Sequence, residues 1–113
     1  MDFPLASPLV SDPRNPRVKE ARRLARRAFR ERSGRFLVEG PQSVREAAAA
    51  PDRLLELFAT AEAGTRYPEI LSAAAAGGAR VVRASDEVVA LLAESVTPQG
   101  LVGVSRLVTV GLD

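Results

Sequence analysis

Arginine dominates the residues of this sequence that could do chemistry, and its placement is uneven. Residues 14–35 hold ten Arg/Lys against two Glu, net +8, whereas the rest of the chain holds six against twelve, net −6. The formal charge of +2 therefore conceals a local cationic block. Guanidinium groups are permanent cations with a planar fork of donors, which suits them to phosphate rather than to proton transfer. Other reagents are scarce. The chain has no histidine and no cysteine, which removes the commonest general base, any disulfide and any zinc–thiolate site. Ser85, Ser95 and Ser105 thus lack a histidine partner, and Lys19 lies among arginines on an expected helix surface, so no activated nucleophile can be assembled. Asp86 and Glu87 are adjacent carboxylates. Consecutive helical residues point about 100° apart, an arrangement that suits the positive end of a helix better than an acid/base pair. No catalytic residue is assigned.

Two loops remain. Glu39-Gly40-Pro41 reads as a strand-to-helix turn whose free N–H groups could hold an anion, but Glu39 would repel a phosphate. The further glycines of a dinucleotide fingerprint or a P-loop are missing, so Gly40 is read as turn geometry. Residues 94–100, ESVTPQG, present Thr97 and Gln99, a hydroxyl and an amide that could contact phosphate, ribose or base edges. The plainer reading is a capped loop between a helix and a strand.

The cationic block needs a helix to display it. Asn15 can cap its start, Pro16 fits the first helical position, and Gly34 can take the left-handed turn that stops it, so one helix is predicted over 15–34. At about 100° per residue, Val18, Ala21, Leu24, Ala25, Ala28 and Phe29 share one arc of about 140° that can pack. Lys19, Arg22, Arg23, Arg26, Arg27 and Arg30 share another, with Glu20 and Glu31 only at its margin. Solvated faces usually mix signs, and like charges this close cost a few tenths of a kcal/mol per pair. An uncompensated stripe points to a polyanionic partner. A membrane surface fits less well, because the apolar face is largely alanine.

Residues 1–14 contain three prolines and read as an extended lead-in that docks Phe3, Leu5 or Leu9 on the body. Beyond Gly34 come a strand over 35–39, a helix from Pro41 to about Ala49, and a strand over 54–60. A polar turn over 63–65 leads to a helix over 67–76, closed by Gly77-Gly78. A strand over 80–84, a helix capped by Ser85 and running to about Ala93, the turn Pro98-Gln99-Gly100 and a strand starting at Leu101 complete the pattern. Strands separated by single helices predict a three-layer α/β/α sandwich around a mixed, mostly parallel four-stranded sheet. The 113 residues, 46% of them hydrophobic, fit one domain. With neither an 18-residue apolar run nor a secretory pattern, no membrane association is expected and the cytoplasm is the expected location.

Taken in order, NPRVKEARRLARR, GRFLVEGPQSVREA, LFAT and SDEVVALLAESVTPQGLVGV resemble the N-terminal substrate-binding domain of SpoU/TrmH-family RNA 2′-O-ribose methyltransferases, over about residues 11–106. The resemblance implies an α/β/α domain similar to the kink-turn-binding ribosomal proteins, which holds structured RNA, rRNA or tRNA, for a separate catalytic domain. In full-length relatives that second domain is a trefoil-knotted fold that binds S-adenosylmethionine and forms the homodimer. The expected division here is a lead-in over 1–14, an RNA-binding domain over 15–106, and over 107–113 the start of a linker to a catalytic domain absent from this chain. On that basis the chain alone holds no cofactor, is catalytically inactive and is monomeric. The resemblance also marks Asn15, Arg17, Lys19, Arg23, Arg26, Arg27 and Arg30 as RNA contacts; Arg22 joins them from the charge stripe, and Thr97 and Gln99 from the loop. The alternative is a protein-interaction module whose basic helix docks an acidic partner.

Overall fold

Short apolar runs whose alternate residues face opposite sides of the sheet form the strands, and alanine-rich or β-branched stretches form the helices between them. The computed structural model describes residues 9–95 and 98–107. Its helices are α1 (Pro16–Arg22), α2 (Arg27–Ser33), α3 (Pro41–Ala49), α4 (Ala61–Arg66), α5 (Pro68–Ala76) and α6 (Asp86–Leu92). Its strands are β1 (Arg35–Glu39), β2 (Leu54–Ala59), β3 (Arg80–Arg83) and β4 (Leu101–Arg106). The expected caps are made: Asn15 Oδ1 accepts from the Arg17 N–H at 2.9 Å and Ser85 Oγ from the Val88 N–H at 3.1 Å. The segment read as a polar turn over 63–65 is instead helix α4. Thr60 ends β2 one residue early and caps that helix, its Oγ1 accepting from the Ala63 N–H at 3.1 Å.

The four-stranded sheet has the order β1-β4-β2-β3. The mixed α/β/α sandwich is as expected, but "mostly parallel" needs correction: β4 runs antiparallel to both β1 and β2, and the one parallel pair is β2 with β3. The reason lies in the last connection. β1, β2 and β3 all run the same way, yet β1 and β2 are not neighbours; after α6 the final strand returns between them in the opposite direction.

Alternate residues of the strands feed two cores. On one face Phe58, Val82, Val102 and Val104 pack under α1 and α6. On the other, Leu54, Leu57, Ala59 and Leu101 pack under α3, α4 and α5, against Val44, Ile70 and Leu71. β4 is buried along five of its six residues, as a central strand must be. The lead-in docks through Val10 rather than Leu9: Val10 is buried, its N–H donates to the Arg83 carbonyl and its carbonyl accepts from the Ser85 N–H, whereas Leu9 is 49% exposed. Phe3 and Leu5 lie outside the described residues.

The turn into β4 has no room for a side chain at Gly100. Gly100 has φ +82°, and a Cβ there would fall 2.6 Å from Thr60 Oγ1 and 2.9 Å from the Ala63 Cβ. Gly100→Ala should therefore combine backbone strain with loss of the α4 cap, costing about 2–3 kcal/mol. Chemical denaturation checks this, and a midpoint equal to wild type would contradict the packing.

Candidate nucleic-acid interface

The predicted single helix over 15–34 is two helices. α1 ends at Arg22, Arg23–Ala25 tighten into a 3-10 turn, Arg26 is extended at φ −93° and ψ 126°, and α2 begins at Arg27. Neither glycine nor proline occurs at the break. It is supported from the far side, where Arg30 Nη1 donates to the Leu24 and Ala25 carbonyls, each at 3.1 Å. These carbonyls face the interruption, and a charged donor satisfies them in place of helical amides. Packing supplies the reason for the bend: α1 lays Val18 and Ala21 on the core beside α6, the 3-10 turn adds Leu24, and α2 turns over the 3-10 segment and β1 to add Phe29 to the same cluster. A straight rod could not follow both surfaces.

The break redistributes the predicted contacts. Ala25 and Ala28, expected to pack, are exposed. Arg30 is half-buried and tied to carbonyls, so it is primarily a structural support. Asn15 is the α1 cap. Arg17 reaches Glu56 at 3.9 Å, Arg23 reaches Glu20 at 3.4 Å, and Arg27 reaches Glu31 at 3.0 Å, all with substantially exposed guanidinium groups. Lys19, Arg22 and Arg26 are exposed, and among the described residues their side chains make no hydrogen bond or ion pair. Gln99 is exposed on another part of the surface, beside Glu39 and Gly40 in a shallow hollow of about 200 Å³. Thr97 lies outside the described residues.

What the bend brings together is an open groove of about 700 Å³. Lys19, Arg22, Arg23, Arg26 and Arg32 rim it, and Ala25, Ala28 and Phe29 supply its apolar surface. The Arg23 guanidinium carbon lies 4.1 Å from the centre of the Phe29 ring, and that of Arg32 lies 5.8 Å from it, both within cation–π range. The sequence reading missed Phe29 and Arg32 as site residues. On an unbroken helix, residues six apart point about 120° away from each other, so the Arg23–Phe29 contact had no signal in the spacing. Arg32 could have been found, since it stands three residues from Phe29 in a cationic run.

Elsewhere the carboxylates have structural duties. Glu39, at the end of β1, accepts from the Glu94 N–H at 2.7 Å and the Ser95 N–H at 3.0 Å, tying the segment after α6 to the β1–α3 turn. The turn is therefore already supplied with an anion of its own. Burial pushes the Glu56 carboxyl above its ordinary range, and the neighbouring Arg17 and Arg35 oppose this only partly. Among the described residues no cluster of three acidic side chains could hold a metal ion, and no helix is long and apolar enough to cross a membrane.

Residues 15–103 match the family model of the MRM3-like substrate-binding domain. The chain belongs to this family. The match agrees with the resemblance to the SpoU/TrmH substrate-binding domain carried by NPRVKEARRLARR and the motifs after it. No curated protein matches the sequence. Among solved structures, an RNA 2′-O ribose methyltransferase superposes with a TM-score of 0.72 at 28% identity, covering 94% of this chain and 40% of the other. An rRNA methyltransferase from Sinorhizobium meliloti superposes with a TM-score of 0.73 at 22% identity, covering 88% and 37%. The SpoU methyltransferase AviRb from Streptomyces viridochromogenes, in complex with AdoMet, gives 0.60 at 22% identity, covering 88% and 38%. The chain thus spans about two-fifths of the length of these structures.

Two measurements probe this local structure. Arg30→Ala should lower stability by about 1–2 kcal/mol by stranding the Leu24 and Ala25 carbonyls, whereas Arg22→Ala should stay within about 0.5 kcal/mol of wild type; equal thermal shifts would refute the division of roles. A carboxyl whose pKa is raised by folding stabilises the fold while protonated and loses that contribution as pH rises through the raised value. Glu56→Gln should accordingly match wild type in acid and be the more stable of the two at pH 7. A loss of stability at pH 7 would show that the ion pair with Arg17 outweighs burial.

Proposed function

We propose that this chain is the RNA-recruiting domain of an S-adenosylmethionine-dependent RNA 2′-O-ribose methyltransferase, with rRNA or tRNA as the substrate class. The observation that carries the reading is the groove, where Lys19, Arg22 and Arg26 present cationic heads without partners among the described residues. An uncompensated cluster of this kind lowers its own repulsion when a phosphate chain enters and releases the chain's condensed counterions. Family membership and the likeness to RNA methyltransferases support RNA as that chain.

Within this reading the domain binds and orients, and the methyl transfer belongs to a separate domain. S-adenosylmethionine, which would supply the electrophilic methyl group there, does not fit the groove described here: its sulfonium cation would face Lys19, Arg22 and Arg26. No step of the transfer is assigned to this chain. Arg22 and Arg26 grip phosphates from the rim, Arg30 holds the bend that sets their spacing, and the ion pairs of Arg23 and Arg27 keep those guanidiniums oriented until a phosphate competes for them.

Fluorescence anisotropy of the 113-residue chain against a structured rRNA fragment and an equally long DNA duplex, at several salt concentrations, tests the proposal. If Lys19, Arg22 and Arg26 each neutralise one phosphate, the log–log salt slope is about −2 to −3. Arg22→Glu with Arg26→Glu should weaken RNA binding by at least about tenfold and flatten that slope, without changing the circular dichroism spectrum. Salt-independent binding, or an unaffected double variant, would overturn the proposal; no RNA binding at all would favour docking of an acidic protein.

A further inference from the structure

A groove built only for phosphates needs cations and no apolar lining. This one has both. Ala25 and Ala28 are exposed on its surface and the half-buried ring of Phe29 joins them, between guanidinium groups of Arg23 and Arg32. The volume of about 700 Å³ exceeds what a phosphate alone would occupy. Two exposed alanines, on either side of Arg26 and Arg27, leave space that a longer side chain at either position would fill. The guanidinium carbons lie over the Phe29 ring, so the Arg23 group covers the ring and offers its own outer side for stacking, since arginine stacks on π systems as well as pairing with anions.

Resting on the RNA-binding reading above, we propose that the groove selects an unpaired nucleotide: its base lies across Ala25 and Ala28 against the Arg23 guanidinium, which the Phe29 ring backs, while Arg22 and Arg26 hold the phosphates on either side. The chemistry favours a splayed base over a paired one. In an A-form helix the base faces are occupied by their neighbours and the deep groove is too narrow for side chains, so a stacking surface can be used only where a base has left the stack. Cations on the rim and an apolar lining match the two halves of such a nucleotide, its charged backbone and its π face. Phe29 and Ala28 are then specificity-determining positions, whereas Lys19, Arg22 and Arg26 set affinity.

The test compares two RNA hairpins of equal length and charge, one fully paired in its stem and one carrying a single-nucleotide bulge with 2-aminopurine as the unpaired base. The 113-residue chain should bind the bulged hairpin about tenfold more tightly than the paired one and change the 2-aminopurine emission. Ala28→Leu, which fills the groove without altering charge at an exposed position, should abolish the preference and the emission change. Phe29→Leu serves as a second variant that keeps apolar packing on the core but removes the ring, with the same expected loss. Equal affinity for the two hairpins, or a preference that survives both variants, would overturn the stacking proposal and leave RNA binding standing. Binding to neither hairpin would overturn the RNA-binding reading and the stacking proposal together.

Discussion

The interruption of one helix at Arg26 is the constraint on which the rest of the interface depends. Two surfaces compete for the same run of residues: the core beside α6, which takes Val18, Ala21 and Leu24, and the ground over β1, which takes Phe29. Both can be covered only if the axis turns between them. The turn leaves the Leu24 and Ala25 carbonyls facing the gap, and Arg30 closes it with two hydrogen bonds from one nitrogen. An arginine that counts as one charge among many in the sequence is thereby the residue that fixes the distance between the others.

Beneath it, β4 gives the domain its rigidity. It is the last strand made and the one most enclosed, paired on both sides and packed on both faces. Its entry at Gly100 is locked against Thr60 and Ala63, and its exit donates through Arg106 to the Asp52 carbonyl at 2.9 Å. The chain therefore closes on itself only when residues distant in sequence have come together. That non-local closure gives the surface helices a firm base from which to present their cations.

Much of this was legible beforehand, for identifiable reasons. Caps, prolines and glycines are local devices, so Asn15, Pro41 and Ser85 marked helix starts correctly, and Gly34 takes the expected left-handed turn at φ +68°. Sheet order is not local: nothing in the spacing of β1, β2 and β3 says that a fourth strand will come between the first two. The bend was equally hidden. Its cause is the shape of the core below it, and its support reaches six residues along the chain, beyond the three- and four-residue neighbourhoods that helical periodicity can express. The position of the cationic block was therefore readable, whereas which cations stand free was not. Thr97 lies outside the described residues, and Gln99 stands on a different hollow from the basic groove.

Glu20 and Glu31, which looked in the sequence like marginal dilutions of the positive charge, hold Arg23 and Arg27 in exposed ion pairs. Exposed pairs of this kind are individually weak, commonly about 0–1 kcal/mol, so a phosphate can displace the carboxylate without a large barrier, yet the carboxylate remains within reach to take the arginine back. On the proposed function, the two glutamates act as resident competitors that shorten the lifetime of the complex. On that reading, RNA has to be released after each modification, and the two ion pairs would serve turnover as well as capture.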